Sequence, residues 1–264
     1  MQAHGEFAVR WRSYVAIGDS FTEGMVDEYQ DGTYRGWADL VARRLAAEAP
    51  PATGFGYANL AIRGRLFDNI VAEQVPAALA LDPGLISFAA GGNDVLRRRC
   101  DPLTLVARFD EVVGGLRAGG ADVILFRFAD VMARLPGQRF VAPRVDVLNR
   151  AVGETAERHG ATLIDLWQDD EFRNPRMWGE DRLHLSTAGH RRVAAHVLTA
   201  LGMPADPEWL AVPPLPDPAS WLAARGADLR WAGQHLAPWV KRRLTGRSSG
   251  DNRQPKRPTL APIE

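Results

Sequence analysis

Ser20 follows Gly18-Asp19 directly after the apolar run Tyr14 to Ile17, a setting in which a tight turn presents a hydroxyl at the end of a strand. A serine hydroxyl is a weak nucleophile until a base removes its proton, so the informative partner is a histidine. Of the six histidines, His184 stands out because Asp181 lies three residues ahead of it. In Asp181-Arg182-Leu183-His184 the carboxylate can accept a hydrogen bond from one ring nitrogen, fixing the tautomer and stabilising the imidazolium, while the other nitrogen faces the serine. Surface Asp-x-x-His pairs often arise by chance, so this one carries weight only in company. Acyl transfer also needs donors aimed at the developing oxyanion. Asn93, in Gly91-Gly92-Asn93-Asp94, can offer a side-chain amide; Gly64 can offer a backbone amide that the missing Cβ opens to close approach. Taken singly, the first reads equally well as an Asn-Asp turn and the second as a loop glycine.

Rival chemistries lack their signatures. There is no G-x-S-x-G elbow, no Walker A sequence and no H-E-x-x-H. His184, His190 and His196 are six apart and do not share a helical face, and the single cysteine, Cys100, excludes an intrachain disulfide and a multi-cysteine zinc site. The neighbouring Arg97-Arg98-Arg99 can lower a thiol pKa, but a solvated loop is the simpler reading. No metal and no cofactor are expected.

The elements that must position these residues follow from short apolar runs alternating with stretches of helical period, the signature of successive βα units. Tyr14 to Ile17, Tyr57 to Ala61, Leu85 to Ala89, Val123 to Phe128 and Thr162 to Leu166 are the strand candidates. Between them, helical spacing recurs in Trp37, Leu40, Val41 and Leu45, and in Ile70, Gln74, Val75 and Leu79, with Gln74 the one polar member. The spacing returns in Leu105, Phe109, Val112 and Leu116, and in Val145, Leu148 and Val152. A last helix is expected from Ser186, a good N-cap, to Gly202, a good stop. The expected fold is α/β: a three-layer α/β/α sandwich on a mainly parallel five-stranded sheet, filling residues 1–202. In open sheets of this type ligands sit beyond the carboxyl ends of the strands, which is where Ser20, Gly64 and Asn93 fall.

Gly18-Asp19-Ser20-Phe21-Thr22-Glu23-Gly24, Asn59 to Gly64, Gly91-Gly92-Asn93-Asp94 and Asp181-Arg182-Leu183-His184-Leu185-Ser186 together resemble, in order, the four blocks of the GDSL-type or SGNH hydrolases. The resemblance spans about residues 14 to 200. It implies a flavodoxin-like hydrolase that cleaves a carboxylic ester or thioester through an acyl-serine intermediate, with a small-molecule ester as substrate. Position by position it makes Ser20 the nucleophile, His184 the general base and Asp181 its orienting partner. The oxyanion donors become the amides of Ser20 and Gly64 and the side chain of Asn93. Within the class a carbohydrate O-deacetylase, an acyl-CoA thioesterase and a lysophospholipase stay open, and a catalytically silent binding module is the rival from another class. The chain departs from the family at Ile62-Arg63-Gly64-Arg65, where arginines flank the glycine. They are expected in water, with contact to an anionic substrate group as the alternative.

With 32 Lys+Arg, 32 Asp+Glu and no net charge, nothing marks the whole chain as a nucleic-acid or polybasic membrane binder. No apolar run suits a signal peptide or a transmembrane helix, and a cytoplasmic protein is expected. Past Gly202 the composition changes. Residues 203–245 read as a Pro- and Trp-rich linker with a helical appendage, and 246–264 as a tail too polar to fold alone. Trp209, Trp221, Trp231 and Trp239 are expected to cover the α/β domain. The alternative is a weak contact between the basic segment Lys241-Arg242-Arg243 and a membrane surface or a protein. Residues 225–264 carry nine basic and three acidic side chains, a surplus that the rest of the chain balances.

Overall fold

The computed structural model describes residues 10–50, 54–130, 138–215, 221–238, 245 and 248–263. The chain opens with β1 (Ser13–Gly18), α1 (Ser20–Glu23), α2 (Gly36–Glu48) and β2 (Gly56–Asn59). After a turn come α3 (Phe67–Asn69), a single wide helical turn at Ile70–Gln74, α4 (Val75–Ala80), β3 (Leu85–Ala89) and α5 (Gly92–Val95). Then follow α6 (Pro102–Ala118), β4 (Asp122–Arg127), α7 (Gln138–His159), β5 (Thr162–Asp165) and α8 (Thr187–Ala200). The last elements are α9 (Trp221–Trp231) and β6 (Arg257–Ala261).

The strands lie in the order β5-β4-β3-β1-β2-β6, parallel except for β6. Successive side chains of a strand point to opposite faces, and β1 shows the consequence. Tyr14 and Ala16 join one apolar layer with Trp37, Val41, Leu45, Val193 and Val197 of α2 and α8. Val15 and Ile17 join the other with Phe109, Leu116, Leu148 and Val152 of α6 and α7. Each fully buried large side chain contributes roughly 1.5–3 kcal/mol, so two complete layers hold the sheet rigid. The chain passes from β1 to β2 on one side and returns to β3 on the other, which leaves a crevice at the carboxyl ends of β1 and β3. Ser20 and Asn93 stand there.

The sheet has six strands rather than the expected five, and the sixth comes from the segment expected to be an unfolded tail. β6 runs antiparallel to β2, with Tyr57 opposite Ala261 and Asn59 opposite Arg257. Its Pro258 lacks an N–H, which an edge strand tolerates. The anchor is Lys256, whose buried ammonium contacts Asp39 Oδ1 at 2.8 Å and donates to the carbonyls of Tyr34 and Arg35. Leu260 packs on the neighbouring apolar layer, while most of the strand stays half-exposed. Such an edge strand has too little apolar alternation to announce itself in sequence. In the appendage, Trp209 packs against the core layer; Trp239 and Lys241-Arg242-Arg243 lie outside the described residues, as does the side chain of Trp221. Among the described residues no helix is long and apolar enough to cross a membrane.

Candidate active site

Ser20 begins α1, separated from the carboxyl end of β1 by Asp19 alone. Asp19 caps that helix by accepting the Phe21 amide at 3.1 Å. The strand end is pinned by Gln74, whose Oε1 accepts the Gly18 N–H at 2.8 Å while its Nε2 donates to the Gly18 carbonyl at 2.9 Å. A buried amide left unpaired is costly, and here it closes two backbone bonds at once. Gln74 positions the turn that carries Ser20, and its one signal in the sequence is being polar on an otherwise apolar helical face. Glu23, at the other end of α1, is buried against Arg63: it accepts the Arg63 amide at 2.7 Å and Nε at 3.0 Å, and also bonds Nη2. The guanidinium lies 4.5 Å from the Tyr34 ring. Arg63 is therefore not the solvated arginine expected from its type, because the buried carboxylate of Glu23, five residues past the end of β1, supplies its partner. Arg65 pairs with Glu73 at 2.9 Å.

His184 Nε2 lies 3.0 Å from Ser20 Oγ, and its Nδ1 lies 2.5 Å from Asp181 Oδ2. The other carboxylate oxygen, Oδ1, accepts the amides of Leu183 and His184, each at 3.0 Å. Burial alone would raise the Asp181 carboxyl, but the bond and charge of His184 and these two amides outweigh it and hold it at about 2. The loop then enters α8 through Ser186, whose hydroxyl accepts the Gly189 amide. Two links tie this entry to the loop after α1. Thr187 donates to Asp27 at 2.8 Å, and His190 bonds the Met25 carbonyl through Nε2 at 3.0 Å while Nδ1 accepts the Trp37 amide at 3.2 Å. Complete burial pushes His190 down to about 4, so it is a neutral structural histidine. Residues 164 apart in sequence thus meet because two loops are bonded to each other.

On the opposite side Gly64 adopts φ of +71°, a left-handed conformation that favours glycine. Among the described residues no backbone hydrogen bond consumes the amides of Ser20 or Gly64. Asn93 follows the left-handed Gly91, and its Nδ2 donates both to Asp19 Oδ2 at 2.9 Å and to the Arg65 carbonyl at 3.0 Å. The Gly64 turn, α5 and the Asp19-Ser20 turn are joined through that one amide. Asp19 is raised to about 6, chiefly by burial, against the opposing pull of the Phe21 amide and His184.

Ser20, His184 and Asn93 border a cavity of about 130 Å³ whose other walls include Leu96, Phe128, Leu148 and Leu166. Among the described residues no group of three or more His, Cys, Asp or Glu is placed to hold a metal ion. Burial, followed by the charge of Asp94, raises the Cys100 thiol, so the adjacent arginines do not activate it.

Residues 16–192 match the family model of the GDSL-like lipase/acylhydrolase family, leaving α9 and β6 outside the match. Three of the solved structures that share the fold illustrate the likeness. Axe2, an acetylxylan esterase from Geobacillus stearothermophilus, is 20% identical with a TM-score of 0.61, over 78% of this chain and 97% of that one. LAE5, an alpha/beta hydrolase enzyme from the metagenome of Lake Arreo, Spain, is 25% identical with a TM-score of 0.61, over 75% and 97%. TesA is 26% identical with a TM-score of 0.57, over 72% and 97%. A search of curated proteins finds no match.

Proposed function

The chain belongs to the GDSL-like lipase/acylhydrolase family and is a hydrolase acting on ester bonds, and from that premise we propose that it works through a Ser20-His184-Asp181 triad. The observation that carries the reading is the unbroken path from Ser20 Oγ to His184 Nε2 at 3.0 Å and from His184 Nδ1 to Asp181 at 2.5 Å. Ser20 Oγ attacks the acyl carbon as its proton passes to His184 Nε2. The negative charge that develops on the carbonyl oxygen is met by the Ser20 and Gly64 amides. Asn93 adds a third donor by exchanging one of its two intramolecular bonds. Collapse breaks the bond to the leaving alcohol or thiol, which takes the proton from His184. Water then attacks the acyl-serine, giving its proton to His184; the acid departs and Ser20 recovers its hydrogen. Asp181, held ionised at about 2, stays a carboxylate throughout and stabilises the imidazolium.

The apolar walls of the cavity support an acyl group longer than acetyl, bound to an alcohol or thiol. A panel of p-nitrophenyl esters of increasing chain length is expected to peak beyond acetate. Ser20→Ala is expected to lower kcat by about 10⁴- to 10⁶-fold and to abolish labelling by a fluorophosphonate. Full turnover by pure Ser20→Ala protein would sink the assignment.

A further inference from the structure

Both halves of the site are touched from outside by the segment that follows the family match. The loop from Asp181 to His184 contains Arg182 at φ of +60°, a left-handed conformation unfavourable for any residue with a Cβ. Three contacts from α9 hold it there. The Trp231 indole N–H donates to the Asp181 carbonyl at 3.0 Å, the Arg182 guanidinium lies 4.9 Å from the Trp231 ring, and Arg182 pairs with Asp228 at 2.9 Å. At the other half, the Ser248 hydroxyl donates to the Gly64 carbonyl at 3.1 Å and its oxygen accepts the Gly250 amide at 3.1 Å. Gly250 lies so close to the Arg63-Gly64 peptide that a Cβ on it would fall 2.1 Å from the Arg63 carbonyl oxygen. That peptide carries the Gly64 N–H.

We propose that the C-terminal segment is a strap that sets the geometry of the reacting groups. Trp231 acts as a positioning residue through the Asp181 loop, and Gly250, with Ser248, acts through the Gly64 peptide. The inference rests on the roles proposed above for Asp181 and Gly64. A left-handed residue between the carboxylate and the imidazole persists only when its surroundings over-determine it, and α9 adds its constraint to the loop's own bonds, the Arg182 amide on the Gly179 carbonyl and the Gly179 amide on the His184 carbonyl. A one-ångström error at either half is expensive in acyl transfer, where the imidazole and the amide must both meet the same tetrahedral centre.

The test is steady-state hydrolysis of a p-nitrophenyl ester by full-length variants whose folding is checked by circular dichroism. Trp231→Phe keeps the ring on Arg182 and removes only the N–H. It is expected to lower kcat about 3- to 10-fold with KM unchanged, the scale of one hydrogen bond. Because it acts through Asp181, Trp231→Phe is expected to add no further loss in an Asp181→Asn background, whereas a general effect on packing would add its full factor. Gly250→Ala is expected to lower kcat by about tenfold or more, and Ser248→Ala by a few-fold; should Gly250→Ala not fold, Ser248→Ala and Trp231→Phe decide. If Asp181→Asn is crippled while the strap variants turn over like the wild type, or if the Trp231 and Asp181 losses multiply, the strap is overturned and the triad stands. If Asp181→Asn itself keeps full kcat, the triad reading fails, and the strap with it.

Discussion

The Ser20 side of the site and the His184 side are held by different physics. Around Ser20 the supports are buried: Gln74 on the backbone of Gly18, and Glu23 on the side chain and amide of Arg63. Around His184 the nearest support is local, Asp181 three residues away, and the outer ones, Asp228 and Trp231, are at least partly open to water. A buried charge that loses its partner is strongly destabilising, whereas an exposed ion pair contributes about 0–1 kcal/mol. Stability and catalytic geometry are therefore coupled on the first side and separable on the second.

The sharpest way to break this contrast is Glu23→Ala. It strands the Arg63 guanidinium among buried neighbours and leaves the Arg63 amide without its acceptor. The expected loss is about 3–5 kcal/mol in urea denaturation, accompanied by a fall in esterase activity as the Gly64 turn loses its register. A loss below about 1 kcal/mol would mean that Arg63 escapes to water and that the Ser20 side is not locked by this pair.

The two sides also differ in how far the sequence discloses them. The blocks around Ser20, Gly64, Asn93 and Asp181-His184 are contiguous, and so are the apolar runs that place them at strand ends; local pattern suffices for both. Gln74 was visible only as an anomaly, because its partner Gly18 lies 56 residues away and pairing at that distance leaves no spacing to read. Arg63 misled for the same reason, its carboxylate being 40 residues upstream. β6 was illegible because an edge strand with one half-covered face has no strong alternation, and its anchor, Lys256 on Asp39, is a long-range ion pair. The contact of Trp231 with Asp181 belongs to the same class: composition predicts that a tryptophan covers something, not which carbonyl its N–H will meet.

His190 joins the two sides, and its titration supplies the next test. Its ordinary value is 6.5 and burial lowers it to about 4 in the folded protein, so between those values the unfolded chain binds a proton that the native one refuses. The stabilisation is present in full above pH 6.5 and is lost as pH falls toward 4, by about 3 kcal/mol at about 1.4 kcal/mol per pH unit. His190→Gln keeps an acceptor for the Trp37 amide and a donor for the Met25 carbonyl without the titration. Urea midpoints from pH 7 to 4 are expected to decline more gently in this variant than in the wild type. Equal slopes would assign the acid sensitivity to other groups, and the bond between the two loops would then not be the pH-dependent joint.

The smallest expected effect on stability is the most informative about the His184 side. Arg182→Gly removes the left-handed penalty of roughly 1–2 kcal/mol, because glycine adopts φ near +60° freely. Against that it forfeits an ion pair with Asp228 that is partly exposed at both ends, the stacking on Trp231, and the stiffness of a side-chain-bearing residue in the unfolded chain. These contributions nearly cancel, so the variant is expected to melt within a few degrees of the wild type. Its loop, however, is no longer gripped by α9 except through the Trp231 bond to the Asp181 carbonyl, and the carboxylate and imidazole sample more orientations. Turnover is expected to fall a few-fold while the melting temperature barely moves, a separation that Glu23→Ala does not allow. A parallel loss of both would show that the Asp181-His184 loop is as deeply built into the fold as the Ser20 turn.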